Sequence, residues 1–297
     1  MTLRFGYGTN GFADHRLDDA LAVIAGLGYD GVALTLDVRH LDPFAADLPK
    51  AVEQVAARLG ALDLSVVVET GARYLLDPWH KHQPTLVSEV AEPRVDLLIR
   101  AVRIAADLGA QAVSFWSGTA SDHAPDGVLW DRLVRGTAEV VREADRRGVI
   151  LAFEPEPGMF IDTIDRFERL AGLLGDPDHF GIMLDIGHCR CLEPWPVEDC
   201  VRRAGPRLAG VQIDDMRRGV HEHLEFGTGE IDFPPVLDAL VEVDYGGLVA
   251  VELPRHSHAA PAIAQRSIEF LKAAEGNAEE NAEGRQGRPP PRRRDDT

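Results

Sequence analysis

Eight short apolar runs, each followed by an amphipathic stretch, constrain the fold more than any other feature of this sequence. The runs are rich in Val, Ile, Leu and Phe and do not alternate with polar residues, which is typical of strands covered on both faces. They span residues 3–8, 31–36, 64–70, 112–117, 149–155, 180–185, 208–213 and 248–253. Several of the amphipathic stretches end at a glycine, where helices commonly terminate.

Strict alternation of strand and helix predicts a parallel sheet, and eight is the number of strands that closes a barrel. We therefore predict an α/β protein with a single (β/α)8 TIM barrel over residues 1–274. An open, doubly wound sheet is the alternative, but no G-x-G-x-x-G opens a helix here. Residues 275–297 contain no Val, Ile, Leu, Met or aromatic residue, so we expect them to form a disordered polar tail.

The charge balance limits the possible partners. The chain has 49 acidic and 31 basic residues and a formal net charge of −18, and this field repels nucleic acids and anionic membranes. No apolar run reaches the ~20 residues of a membrane span, and the N-terminus lacks a signal-peptide core. Cys189, Cys191 and Cys200 lie too close together to staple the chain, so we expect buried thiols in a reducing compartment. These features predict a cytoplasmic protein without nucleic-acid or membrane partners.

Polar side chains interrupt the apolar runs of the fifth to eighth predicted strands at their carboxyl ends. These residues are Glu154, Asp185, Gln212 and Glu252. In a barrel of this kind, functional side chains gather at that end of the strands. Converging carboxylates repel one another unless a cation or a shared proton offsets them. The pattern therefore predicts a divalent metal ion at the mouth of the barrel.

The phrases around these positions resemble the xylose isomerase-like barrels of the sugar phosphate isomerase/epimerase family. That superfamily contains sugar isomerases, ketose 3-epimerases, inosose dehydratases and endonuclease IV. The phrases are FEPEP (153–157), MLDIGH (183–188), VQIDD (211–215), HEHLEFGTGEIDF (221–233) and VAVELP (249–254). The resemblance covers about residues 3–274. It implies that Glu154, Asp185, Gln212 and Glu252 bind one ion, and that Glu154 and Glu252 form the acid–base pair.

Gln212 departs from the family pattern, which has histidine at this position. A glutamine can still donate its carbonyl oxygen, and an all-oxygen shell favours Mn²⁺ or Mg²⁺ over Zn²⁺. Two alternatives stay open: His221 or His223 supplies the fourth ligand, or the metal site has been lost.

The resemblance also suggests substrate contacts. His188 corresponds to a family histidine that hydrogen-bonds the reacting oxygens of the substrate and can polarise a carbonyl. His223 stands four residues before Gly227 of the phrase GTGEID, where relatives place a metal- or substrate-contacting residue. His221, two residues earlier, would point to the same side of an extended backbone. Glu156 is expected to meet substrate hydroxyls, and Asp214 to orient a metal ligand.

The predicted connection over residues 71–92 is long for a barrel loop and combines aromatic with basic residues. It is expected to act as a lid in which Lys81 and His82 contact the substrate; a contact in a homo-oligomer is the alternative. Trp116, at the end of the fourth predicted strand, is expected to form the floor of the pocket.

Together these features predict a divalent-metal-dependent isomerase or epimerase of a sugar, sugar phosphate or cyclitol. A carboxylate would remove the proton α to a carbonyl, giving an enediolate that the metal stabilises. An inosose dehydratase-like lyase and a non-catalytic barrel without its metal site are the alternatives. Endonuclease IV activity is disfavoured by the net charge and by the lack of histidine at the second, third and fourth strand ends, LTLD, VETG and FWSG.

Overall fold

A computed structural model describes the backbone of residues 2–286 and the side chains of residues 2–276. Eight parallel strands close a barrel in the order β1-β2-β3-β4-β5-β6-β7-β10, and β10 pairs back to β1. These strands are β1 (Arg4–Gly8), β2 (Gly31–Thr35), β3 (Ser65–Glu69), β4 (Val113–Trp116), β5 (Leu151–Glu154), β6 (Phe180–Asp185), β7 (Leu208–Ile213) and β10 (Leu248–Val251). The predicted (β/α)8 barrel is confirmed.

Helices surround the barrel. They are α1 (Leu17–Gly26), α2 (Leu48–Ala61), α3 (Glu92–Leu108), α4 (Asp126–Arg147), α5 (Ile164–Leu173), α6 (Ile186–Leu192), α7 (Val197–Ala204), α8 (Phe233–Glu242) and α9 (Ala260–Gln286). Short 3-10 turns cover Thr9–Phe12, Gly205–Arg207 and Ser257–Ala259. Gly109 and Gly148 follow α3 and α4 with φ of 63° and 65°, the left-handed conformation that favours glycine at a helix end.

The segment after β7 differs from the expected loop. It contains an antiparallel hairpin of β8 (Asp215–Arg217) and β9 (Val220–Leu224), in which Arg217 pairs with Val220. Gly219 makes the turn with a φ of 73°. His221 and His223 therefore lie on a strand, where alternate side chains share a face.

The last helix extends past residue 274, where the barrel is predicted to end; the boundary itself stays a prediction. Helix α9 continues beyond Ala274 to Gln286, and the Glu275 carboxylate accepts a hydrogen bond of 2.8 Å from the backbone N–H of Leu3. Residues 287–297 of the predicted tail lie outside the described residues. All three cysteines are buried and free, and no helix among the described residues is long and apolar enough to cross a membrane.

The interior of the barrel is divided along its axis. A small apolar cluster fills the end near the strand starts and consists of Val67, Ala112, Ala152, Met183 and Leu248. Because side chains alternate along a strand, the inward positions that follow at steps of two lie closer to the strand ends. Glu69, Glu154 and Asp185 each lie two residues after a member of this cluster. The polar strand-end residues therefore lie next to this cluster, on the side nearer the carboxyl ends of the strands.

Candidate functional site

A cavity of about 550 Å³ opens at the carboxyl ends of the strands. Its lining contains most of the site residues predicted from the sequence: Trp116, Lys81, His82, Glu154, Glu156, His188, Gln212, His221, His223 and Glu252. Asp185 is 2% exposed and lies behind the lining, yet it offers a ligand atom close to those of His223 and Glu252. The fold therefore brings the predicted residues together around one space.

Carboxyl groups concentrate in this cavity. Burial raises the pKa of Glu154 well above its usual range and also raises the pKa of Glu252, and the two groups repel each other. Burial likewise raises the pKa of Glu69 and of Glu156 to about 8, and in each case Glu252 adds to the shift. Positive charge placed among these groups would relieve their repulsion.

Glu69 was not predicted from the sequence. It ends β3, is 6% exposed and accepts hydrogen bonds from Thr35 Oγ1 at 2.9 Å and from Gln212 Nε2 at 3.1 Å. Asn10, in the 3-10 turn that follows β1, lies between two acidic side chains: its Nδ2 donates to Glu252 at 2.9 Å and to Glu69 at 3.5 Å. The signal was available in the sequence, since Glu69 interrupts an apolar run at a strand end in the same way as Glu154.

Two of the predicted metal ligands have an oxygen free to meet a cation. Asp185 Oδ2 and Gln212 Oε1 are buried without a hydrogen-bond partner in the part of the chain that the structure describes, and an unpaired buried oxygen is costly unless it has a ligand. The other Asp185 oxygen accepts the backbone N–H of His188 at 2.8 Å. Because the Gln212 amide nitrogen donates a hydrogen bond to Glu69, the side chain presents its oxygen as the available ligand for a cation.

Three histidines line one side of the cavity. His188 comes from the first turn of α6, whereas His221 and His223 come from β9. His188 Nε2 lies 3.1 Å from His221 Nε2, and the three ring centroids are 4.8, 5.4 and 5.6 Å apart. Burial lowers the pKa of His188 to about 3. Burial also acts to lower the pKa of His223, but the Asp214 carboxylate beside its Nδ1 outweighs this effect and raises the pKa to about 10.

The loop over the cavity is anchored by an arginine that the sequence did not indicate. Arg94 of α3 is 2% exposed and donates to the backbone carbonyls of Thr70 at 3.1 Å, His82 at 2.7 Å and Pro84 at 3.0 Å. Its guanidinium also lies 4.7 Å from the ring centroid of Trp116. Trp116 thus stands between this buried cation and the cavity, while the His82 ring meets its edge at 5.2 Å.

Basic residues lie at the entrance. Arg73, Lys81 and Arg255 all line the cavity. Lys81 is exposed and close enough to Glu156 to lower the pKa of that carboxyl, opposing the larger effect of burial. The cavity therefore has an acidic interior and a basic rim.

Fold and site together define a (β/α)8 barrel protein with a carboxylate- and histidine-lined cavity at its strand ends. The chain belongs to the xylose isomerase-like TIM barrel family, whose sequence model matches residues 21–274.

Two curated relatives illustrate the range of this family. Inosose dehydratase of Geobacillus kaustophilus (strain HTA426) is 29% identical over 140 residues, which is 41% of this chain and 45% of the relative, so the match spans less than half of that protein. L-ribulose 3-epimerase of Mesorhizobium japonicum is 25% identical over 245 residues, or 81% of this chain and 76% of the relative.

Solved structures share the fold. A structure of L-ribulose 3-epimerase superposes with a TM-score of 0.79 at 22% identity and covers 98% of this chain and 100% of its own. The IOLI protein with a bound zinc atom gives a TM-score of 0.72 at 16% identity and covers 93% of this chain and 99% of its own.

Proposed function

We propose that this protein is a divalent-metal-dependent isomerase or epimerase that moves a proton on the carbon next to a carbonyl in a sugar, sugar phosphate or cyclitol. The observation that carries the proposal is the pair of glutamates formed by Glu154, which is buried, and Glu252, which is partly buried. Glu154 ends β5 and Glu252 follows β10, with β6 and β7 between them in the barrel, so their carboxyl groups reach the cavity from different sides. A pair of carboxyl groups arranged in this way can remove a proton on one face of a carbon and return one on another.

The metal would be held by Glu154, Asp185, Gln212 and Glu252, and their four oxygen donors suit Mn²⁺ or Mg²⁺. When bound, a divalent ion would polarise the substrate carbonyl and acidify the neighbouring C–H. Burial raises the pKa of both glutamates, and a higher pKa makes a carboxylate a stronger general base. A neighbouring positive charge would lower the pKa of both glutamates and so oppose the effect of burial.

The remaining residues bind and orient the substrate. Neutral His188 would hydrogen-bond a substrate oxygen, while His221, His223 and Glu156 would meet hydroxyl groups. Trp116 offers an aromatic surface for the sugar ring, and the loop that carries Lys81 and His82 would exclude water above it. The basic rim is suited to a negatively charged substituent such as a phosphate.

The similarity to an L-ribulose 3-epimerase supports sugar epimerisation. A dehydratase is the second candidate, because inosose dehydratase matches at 29% identity over 140 residues. Both reactions begin by removing a proton next to a carbonyl and differ in what leaves or returns afterwards.

The test is proton exchange in D₂O. The protein loaded with Mn²⁺ is incubated with ketoses, ketose phosphates and inososes, and deuterium incorporation is followed by NMR. Exchange together with a new epimer or aldose supports an isomerase, whereas loss of water supports the dehydratase. Absence of exchange across the whole set, with metal bound, would contradict the proposal.

A further inference from the structure

We propose that His188, His221 and His223 form a second divalent-cation site, separate from the carboxylate site and selective for an ion that prefers nitrogen, such as Zn²⁺ or Co²⁺. One ring nitrogen from each of the three side chains lies within 4.8 Å of the other two. The inference goes beyond the proposed function, which needs a single ion among the carboxylates; with the second ion bound, the three histidines would meet the substrate through that ion instead of directly.

The distance between two of the nitrogens matches a shared metal ion. Zinc binds histidine nitrogen at ~2.0–2.1 Å in tetrahedral geometry, which places two ligand nitrogens about 3.3 Å apart. His188 Nε2 and His221 Nε2 are 3.1 Å apart. The ligand atom of His223 lies within 4.8 Å of those of His188 and His221, and its ring centroid lies 5.6 Å from that of His188 and 5.4 Å from that of His221.

The second ring nitrogens of two of the histidines lie beside carboxylates. Metal-binding imidazoles direct their second nitrogen to a carboxylate or a backbone carbonyl, which fixes the ring and makes the ligating nitrogen more basic. His188 Nδ1 lies 3.4 Å from Glu154 Oε1, and His223 Nδ1 contacts Asp214 Oδ2. The ring of His221 lies beside the backbone of Pro157. Each ring therefore has a polar group of the protein next to it, although neither carboxylate contact has the geometry of a hydrogen bond.

The local fold explains why the three rings meet. His221 and His223 are two residues apart on β9 and so project from the same face of the hairpin. Asp185 accepts the N–H of His188, caps α6 and fixes the position of that histidine. All three side chains line the cavity, so three protein ligands would leave one coordination position open towards it. Zinc sites that bind a substrate keep one coordination position free of protein ligands, and an oxygen-bearing substrate group would fill that position.

The two sites differ in the chemistry of their donors. Glu154, Asp185, Gln212 and Glu252 offer oxygen only, whereas the histidines offer nitrogen only. Oxygen donors favour Mg²⁺ and Mn²⁺, and imidazole favours zinc and its transition-metal neighbours. His223 also lies close to Asp185 and Glu252, and His188 to Glu154 and Asp185. With its Nδ1 beside Asp214, His223 has only Nε2 to give, and the proposal assigns that atom to the histidine site. The ion would have to displace the proton that His223 carries there.

The experiment counts bound ions. Metal-free protein is dialysed against Co²⁺ or Zn²⁺, and the bound metal is measured by mass spectrometry together with the visible absorption of Co²⁺. We expect two equivalents in the unchanged protein and one in His221→Asn, with loss of the absorption band of nitrogen-bound Co²⁺. Glu252→Ala, which weakens the carboxylate site, should keep that band. His179→Asn is the matched control, because His179 precedes β6 at the other end of the barrel and should leave both equivalents in place.

One equivalent in the unchanged protein, or two in a folded His221→Asn variant, would overturn the proposal. Loss of the band in Glu252→Ala would also overturn it, since the two sites would then not be separate. Circular dichroism verifies that each variant is folded. Because the readout is bound metal, failure to detect proton exchange would count against the proposed function and not against this site.

Discussion

The carboxylate of Asp215 holds the backbone of Gly229, accepting its N–H at Oδ2 over 2.8 Å. The same oxygen accepts the N–H of Gly227 at 2.9 Å, and Oδ1 accepts that of Ile231 at 3.2 Å. Asp215 is 1% exposed and begins the hairpin that carries His221 and His223. The loop after the hairpin is thereby tied to its base.

Substituting Gly229→Ala should destabilise the protein by about 1–3 kcal/mol, the usual cost of forcing an extra group into a filled space. A Cβ atom at this position would lie 2.2 Å from Asp215 Oδ1 and 2.7 Å from the backbone nitrogen of Met216. Urea unfolding measures the change. Gly60→Ala in α2 is the control, because nothing lies within 4 Å of its Cβ position. An equal free energy of unfolding for the two variants would show that the hairpin accommodates the added methyl group without losing stability.

Replacing Glu154 or Glu252 by glutamine should lower α-proton exchange by ~10²-fold or more, because the side chain keeps an oxygen donor but no longer titrates. Deuterium incorporation into the substrate and metal content are measured on the same samples. Glu53→Gln, on an exposed position of α2, controls for the change of charge. Unchanged exchange in both site variants, with metal bound, would place the base elsewhere, and His188 would be tested next.

The stability of the metal-free protein should fall as the pH rises. Burial raises the pKa of Glu69 and Glu156 from 4.5 to about 8. A carboxyl group whose pKa is higher in the folded chain contributes stability that is complete below its unfolded pKa and is lost as the pH rises through the folded pKa. The melting temperature in chelator should therefore decline between about pH 4.5 and pH 8, and Mn²⁺ should reduce the decline.

Calorimetry across this pH range provides the measurement for that prediction. The double variant Glu69→Gln, Glu156→Gln removes both titrating groups and should show a flatter profile. A double variant that declines as steeply as the unchanged protein would assign the pH dependence to other groups.

Truncation after Gly276 should leave the melting temperature nearly unchanged, because residues 277–297 contain no large apolar side chain to bury. Truncation after Ala274 removes Glu275, whose carboxylate bonds the N–H of Leu3, and should cost about 1 kcal/mol, a typical value for one hydrogen bond. Thermal unfolding of the two shortened chains measures the difference. A fall of several degrees in the melting temperature after truncation at Gly276 would mean that residues 277–297 stabilise the barrel.

The repeated pattern of apolar run and amphipathic stretch was enough to predict the closed barrel, because strand burial and helix amphipathicity are local properties. The same rule found Glu154, Asp185, Gln212 and Glu252 as strand-end residues. Glu69, which was not predicted, ends the third strand in VVVET and carries the same signal. The roles assigned to these residues stay predictions.

Other features depend on contacts between distant segments. The sequence around Arg94 predicts a solvent-exposed position on an amphipathic helix. In the folded chain its guanidinium is buried against backbone carbonyls between residues 70 and 84. The hairpin was missed because a strand of three residues leaves too short a pattern to detect. The proximity of His188 to His221 likewise depends on how the hairpin folds back over α6.

The position of Arg94 has a mechanical consequence. By bonding the carbonyls of Thr70 and Pro84, it fastens the two ends of a compact surface loop to a single side chain. The tip of that loop, with Trp79 at 84% exposure, lies outside this fixed base. If the loop acts as the predicted lid, we expect the tip to open about the base while the spacing of Glu154 and Glu252 is preserved.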